Sequence, residues 1–78
     1  MKLLVRNLAR TTTEAEIRAL FEAHGTVEYC TLVMDAESGQ SKGFGFVEMP
    51  QGKEAKNAID ALNGQKIDKS KIRVKPAQ

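Results

Sequence analysis

Residues 42–49, KGFGFVEM, place two phenylalanines, Phe44 and Phe46, at alternate positions behind Lys42. Phenyl rings are not reactive groups, so the chemistry this segment can do is non-covalent. A ring can stack on another planar ring, and the neighbouring ammonium can neutralise an anion. The same two rings could instead fill a hydrophobic core. The direction in which they point decides between these interpretations.

Residues suited to covalent or metal chemistry are few. His24 is the only histidine and Cys30 the only cysteine, and neither has a second ligand at metal-binding spacing. The segment GFGFVE has Glu48 where a dinucleotide-binding fingerprint needs its last glycine, and no helix directly follows it. We therefore expect no catalytic site, no metal and no cofactor, and we predict that the chain is not an enzyme.

Apolar spacing predicts the elements that must position these residues. Alternating or β-branched runs predict four strands, in KLLVR (2–6), VEYCTLVM (27–34), FGFVEM (44–49) and KIRVK (71–75). A helix begins after a Thr13/Glu16 capping box and is expected to stop at Gly25, and a second helix covers residues 52–62. This order predicts an α+β, ferredoxin-like βαββαβ fold, with both helices packed on one face of a four-stranded antiparallel sheet.

Alternation within the third strand indicates where the rings point. Phe44 and Phe46 share a strand face with Lys42 and Glu48, whereas the opposite face, around Val47, carries no charge. Burying the charged face would cost on the order of several kcal/mol for each unpaired charge. Leaving both rings on the uncovered face gives up roughly 1.5–3 kcal/mol of burial free energy for each ring. An exposed apolar patch kept at this cost indicates a binding surface. The bases of unpaired nucleotides can stack on such rings while nearby cations neutralise the phosphates. Alternatively, the rings are buried in a dimer interface or in an interface with another protein.

Charge and cysteine content limit the binding partners and the cellular compartment that the sequence predicts. The net charge is +2, and residues 39–78 hold eight basic and four acidic side chains against four and six in residues 1–38. This asymmetry favours a polyanionic partner. A lone cysteine excludes an internal disulfide, and the N-terminal apolar run is interrupted by Arg6. We expect a single domain over residues 1–78 in the cytoplasm, without a membrane segment.

The strongest motif is an octapeptide. Residues 42–47, KGFGFV, match the first six positions of the octapeptide of the RNA recognition motif (RRM) family. LLVRNL resembles the family's hexapeptide, GTVEYCTLVMD its second strand, and ALNG the end of its second helix. The chain thus resembles an RRM domain over nearly its whole length. It is similar to the small single-domain prokaryotic members, although a domain cut from a longer chain is equally compatible.

The resemblance implies binding of single-stranded RNA, or of single-stranded DNA, by a monomer with a role in post-transcriptional regulation. Phe46 would stack on a base, Phe44 would lie against sugars or between two nucleotides, and Lys42 would pair with a phosphate. The other residues expected to contribute to this RNA-binding face are Leu4, Arg6, Thr31, Val33, Lys71, Arg73 and Lys75.

Two positions depart from the family pattern. Leu4 stands where the hexapeptide normally has an aromatic residue, and a missing stacked ring lowers affinity by about 1–3 kcal/mol. Met49 replaces the last aromatic of the octapeptide on the core face. Tyr29 could supply a further ring, but its direction depends on whether the strand is irregular between Val27 and Cys30. The change at Leu4 leaves open a second function, a protein-interaction module of the same fold with weak or no RNA binding.

Overall fold

A four-stranded antiparallel sheet and two helices make up most of residues 1–77, the part of the chain that the computed structural model describes. The last residue of the predicted domain 1–78 lies outside the described residues. The elements are β1 (Lys2–Arg6), α1 (Glu14–Glu22), β2 (Tyr29–Met34), β3 (Ser41–Glu48), α2 (Gly52–Leu62), β4 (Lys66–Ile67), β5 (Ser70–Lys71) and β6 (Arg73–Pro76). The sheet order is β2-β3-β1-β6, which confirms the predicted ferredoxin-like α+β fold.

Helix α1 begins where the sequence predicts and ends earlier. Thr13 Oγ1 accepts the Glu16 backbone N–H at 3.2 Å, and Glu16 Oε1 accepts the Thr13 N–H at 2.9 Å, which completes the capping box. The helix ends at Glu22, so the expected stop at Gly25 is wrong. A Cβ at Gly25 would collide with the Glu54 side chain, and this close approach is what requires glycine there. Within residues 1–77 neither helix is long and apolar enough to cross a membrane.

The C-terminal segment differs from the single strand predicted over residues 71–75. β5 pairs with β4 in a separate small hairpin, and only β6 joins the main sheet, beside β1. The turn of the hairpin contains Asp68 and Lys69, whose φ angles are 49° and 70°. Two-residue hairpin turns usually have glycine after the asparagine or aspartate, and here Lys69 stands at that position, so the sequence lacks the usual hairpin signal.

The core lies between the sheet and the helices. Strands, helices and the segments that adjoin them fill it with Leu3, Val5, Leu8, Ile17, Phe21, Val27, Cys30, Leu32, Val47, Met49, Ala55, Ala58, Leu62, Ile72 and Val74. Val27 and Cys30 are both buried, and β2 begins only at Tyr29, so the backbone is irregular between them. Met49 is fully buried, in keeping with its predicted core position.

One backbone donor on each edge strand is bonded to a side chain at the end of a helix. The Leu32 N–H on β2 donates to Glu14 Oε2 at 3.0 Å. The Val74 N–H on β6 donates to Asn63 Oδ1 at 3.0 Å. An unpaired backbone donor on an edge strand is a template for pairing with another chain. At these two positions the donor is already bonded within the domain.

The buried thiol of Cys30 should make the fold less stable at alkaline pH. Burial, with Glu14 adding to it, raises the pKa of the thiol from 9.0 to about 11. Because the folded-state pKa is the higher one, this contribution is complete below about pH 9 and is lost as the pH rises towards 11. We expect the free energy of unfolding to fall by roughly 1–3 kcal/mol over this range through Cys30 alone. Denaturant titrations of wild type and Cys30→Ala at several pH values isolate the effect. Parallel pH profiles for the two proteins would contradict it.

Candidate nucleic-acid interface

The sheet face opposite the helices carries the two rings of the octapeptide. Phe44 and Phe46 are half-buried, and neither belongs to the core beneath the helices. Their centroids are 6.3 Å apart with an interplanar angle of 87°, an edge-to-face contact. A contact of this kind is worth about 0.5–1.5 kcal/mol and orients the rings without burying them. The predicted orientation of the rings is confirmed.

Pairing across the strands builds a row of predicted residues around Phe46. Thr31 on β2 and Leu4 on β1 lie directly across from Phe46, one on each side. Leu4 in turn lies across from Lys75 on β6. Thr31 and Lys75 are exposed, and Leu4 is half-buried. The row therefore places a hydroxyl, an aromatic ring, an aliphatic side chain and an ammonium side by side across the sheet.

Two arginines form the neighbouring pair on this face. Arg6 on β1 lies directly across from Arg73 on β6, and both are exposed. Like charges at directly opposed positions destabilise a sheet. The ion pairs within residues 1–77 join Met1 to Glu48 and Arg18 to Glu22, so neither arginine has a carboxylate partner within 4.0 Å there. This pair is suited to an anionic ligand.

Three further predicted residues lie in different surroundings. Lys42 is exposed at the start of β3. Val33 is half-buried at the point where the β2–β3 register shifts. Lys71 belongs to the β4–β5 hairpin, and its carbonyl oxygen accepts the Asn7 Nδ2–H at 2.7 Å. The sheet thus brings together most of the predicted set, but Lys71 lies outside it.

Two glycines of the octapeptide are required by the backbone. Gly43 has a φ of 85°, a conformation that disfavours residues with a Cβ, and its carbonyl oxygen accepts the Leu8 N–H at 2.8 Å. A Cβ at Gly45 would run into the carbonyl oxygen of Thr31 on β2. The glycines allow β3 to approach its neighbours closely, and this approach holds Phe44 in position.

Two residues of the face were absent from the predicted site. Lys2 Nζ lies over the Phe46 ring, 4.6 Å from its centroid, a cation–π contact. Tyr29 is 40% exposed and lies across from Glu48, on the same face as the rings. Strand alternation already placed Lys2 on the side of Leu4 and Arg6, so its position could have been found. The irregularity before Tyr29 hid its direction.

Comparison with known proteins identifies the architecture. A sequence model of the family described as RNA recognition motif matches residues 3–73. The chain belongs to the RNA recognition motif family. RRM domains have RNA binding as their general function and are not catalytic, so the predicted family and the prediction that the chain is not an enzyme are confirmed.

Individual RRM proteins resemble the chain throughout. The 29 kDa ribonucleoprotein B of the chloroplast of Nicotiana sylvestris is 39% identical over 77 residues, which are 99% of this chain and 26% of that protein. The crystal structure of RNA binding protein PG1 superposes with a TM-score of 0.95 at 36% identity, covering 99% of this chain and 93% of that one. A Sex-lethal protein/RNA complex gives a TM-score of 0.93 at 31% identity, covering 99% of this chain and 46% of that one.

The curated relatives also correct one prediction. The chain spans about a fifth to a third of their length, and they are chloroplastic ribonucleoproteins from two Nicotiana species, Spinacia oleracea and Arabidopsis thaliana. The prediction of a cytoplasmic protein is therefore wrong. The prediction was based on an unpaired thiol, which indicates reducing conditions, and on the absence of a long apolar run, which bears on membrane insertion. Neither feature distinguishes one reducing compartment from another.

Proposed function

We propose that this RRM domain binds short single-stranded RNA on the uncovered sheet face. Bases stack on Phe46 and Phe44, and Lys42 pairs with a phosphate. The remaining contacts come from Leu4, Arg6, Thr31, Val33, Arg73 and Lys75. The observation that carries the proposal is the pair of half-buried rings among cations on the face that the helices leave open.

Three features support this assignment over burial of the rings in a second copy. Aromatic faces accept any base, while unpaired cations beside them attract phosphates, so one surface serves both parts of a nucleotide. The edge-strand donors on Leu32 and Val74 are bonded to Glu14 and Asn63, which favours a monomer. The similar proteins include ribonucleoproteins and a protein solved with RNA.

Salt dependence tests the electrostatic part of the proposal. If three to five phosphates are contacted, the logarithm of the binding constant should fall with the logarithm of salt concentration with a slope of about −2 to −3.5. Fluorescence anisotropy with labelled mixed-sequence RNA hexanucleotides at several salt concentrations measures the slope. Single-stranded DNA pools of the same length report whether the ribose hydroxyl contributes.

A protein-interaction module of the same fold is the second candidate, and Leu4 is the observation that favours it. With an aliphatic side chain in place of the second ring, the centre of the face is less suited to bases and better suited to an apolar partner. A salt-insensitive interaction, or failure of every RNA pool to bind, would support this candidate and contradict RNA binding.

A further inference from the structure

A cationic cleft lies beside Phe44, at the end of the sheet where the loop after β1 meets the start of β3. Its volume is about 320 Å³, and it is lined by Arg6, Asn7, Leu8, Arg10, Lys42, Gly43 and Phe44. Three of these side chains are cationic, none is a carboxylate, and one wall is a ring of the proposed stacking surface. Arg10 is the member of this group that the octapeptide and hexapeptide patterns do not point to.

Within residues 1–77 no carboxylate neutralises the positive charge of the cleft. Arg6, Arg10 and Lys42 are exposed, and the two ion pairs found in residues 1–77 involve other residues. Like charges around one concavity repel one another and concentrate positive potential there. An anion that enters the cleft relieves this repulsion and gains charge-assisted hydrogen bonds from the guanidinium groups.

The loop that carries Arg10 is held on both sides. Before it, the Leu8 N–H donates to the Gly43 carbonyl oxygen at 2.8 Å. After it, Thr12 Oγ1, which is 2% exposed, donates to Asp68 Oδ2 at 2.7 Å. Only the long Arg10 side chain then has to be ordered when a ligand binds, which lowers the entropy cost of that contact.

A second cleft continues the cationic surface across the sheet. It also measures about 320 Å³ and is lined by Arg6, Asn63, Arg73, Val74 and Lys75. Arg6 lines both clefts, so the cations form a band from β6 over β1 to the Arg10 loop and the start of β3. This band crosses the strands and runs past Phe44. A ligand with anions at regular intervals and planar groups to one side matches it.

We infer that Arg10 binds an internucleotide phosphodiester adjacent to the nucleotide at Phe44, in the cleft that it shares with Arg6 and Lys42. The inference rests on the proposed RNA-binding function and adds a contact residue and a position for the backbone. Arg10 contacts the RNA backbone and not the base edges, so it contributes equally to the affinity for every RNA sequence.

Charge-matched variants test this contact. Arg10→Ala should weaken binding of a mixed-sequence RNA hexanucleotide pool by about tenfold at low salt, and the magnitude of the logarithmic salt slope should fall by about 0.7, the value for one phosphate on a single strand. Arg10→Lys should restore most of the slope. Lys53→Ala removes the same charge from an exposed position on α2 and should leave the slope unchanged. Thermal melting verifies that each variant is folded.

The remaining outcomes separate this inference from the function on which it rests. A wild-type slope for Arg10→Ala, in a protein whose Phe46→Ala variant loses affinity, would overturn the role of Arg10 and leave RNA binding intact. Failure of the wild type to bind any pool would overturn both. The Arg10 Nε–H signal in NMR spectra should shift with the RNA pool and not with inorganic phosphate at the same concentration. Equal shifts would mean a general anion site and would overturn the assignment to a phosphodiester.

Discussion

Phe46→Ala is expected to weaken binding of the RNA hexanucleotide pool by about fivefold to 150-fold, the loss of one base–aromatic stack of about 1–3 kcal/mol. The ring lies at the centre of the uncovered face, between Thr31 and Leu4. In the free domain Lys2 lies over it. A base must displace that ammonium, which costs about 0.5–1 kcal/mol at an exposed site and leaves Lys2 beside the incoming phosphates.

Stability distinguishes a ligand-binding ring from a core ring. Phe46→Ala removes the edge-to-face contact with Phe44 and the cation–π contact with Lys2, and should lower the free energy of unfolding by about 1–2.5 kcal/mol. Phe21→Ala is the matched control, because Phe21 is fully buried and its truncation should cost about 3–5 kcal/mol. Affinity is measured by anisotropy and stability by denaturant titration. Equal destabilisation by the two variants, with RNA affinity unchanged by Phe46→Ala, would show that Phe46 is structural.

Leu4→Phe is expected to strengthen RNA binding by about fivefold to 150-fold, because it adds a second stacking ring beside Phe46. Leu4 is half-buried on the uncovered face and lies between Phe46 and Lys75, so a larger side chain extends towards solvent rather than into the helices. The measurement is the dissociation constant for the same RNA pool at fixed salt concentration.

The neighbouring residue supplies a control for Leu4→Phe. Leu3 is fully buried on the opposite side of the strand, so Leu3→Phe should overpack the core, lower stability by roughly 1–3 kcal/mol and add no affinity. A folded Leu4→Phe variant with wild-type affinity would mean that no base lies on this part of the sheet. That result would favour the protein-interaction candidate.

The orientation of β3 was predictable because its two faces differ in charge. Lys42 and Glu48 mark one side and Val47 the other, and burying the charged side is too costly for a small domain to tolerate. The capping box at Thr13 and Glu16 could also be predicted from the sequence, because it depends on two residue types at a fixed spacing. These local rules were sufficient to derive the order of the main elements and the face that carries the rings.

Features that depend on contacts between distant segments were not predictable in this way. The direction of Tyr29 follows from a backbone irregularity, and the turn of the β4–β5 hairpin has Lys69 where the usual hairpin signal has glycine. Arg10 reaches the cleft because hydrogen bonds to Gly43 and Asp68 fix its loop. None of these arrangements has a period or a motif in the sequence.

The hydrogen bonds from Leu32 to Glu14 and from Val74 to Asn63 have a consequence for the domain at high concentration. Growth of a cross-β fibril requires free backbone donors at the end of a sheet onto which the next chain can add. Here one backbone donor on each terminal strand is bonded to a side chain of its own domain. A strand of another chain that added at Leu32 or at Val74 would first have to displace that side chain.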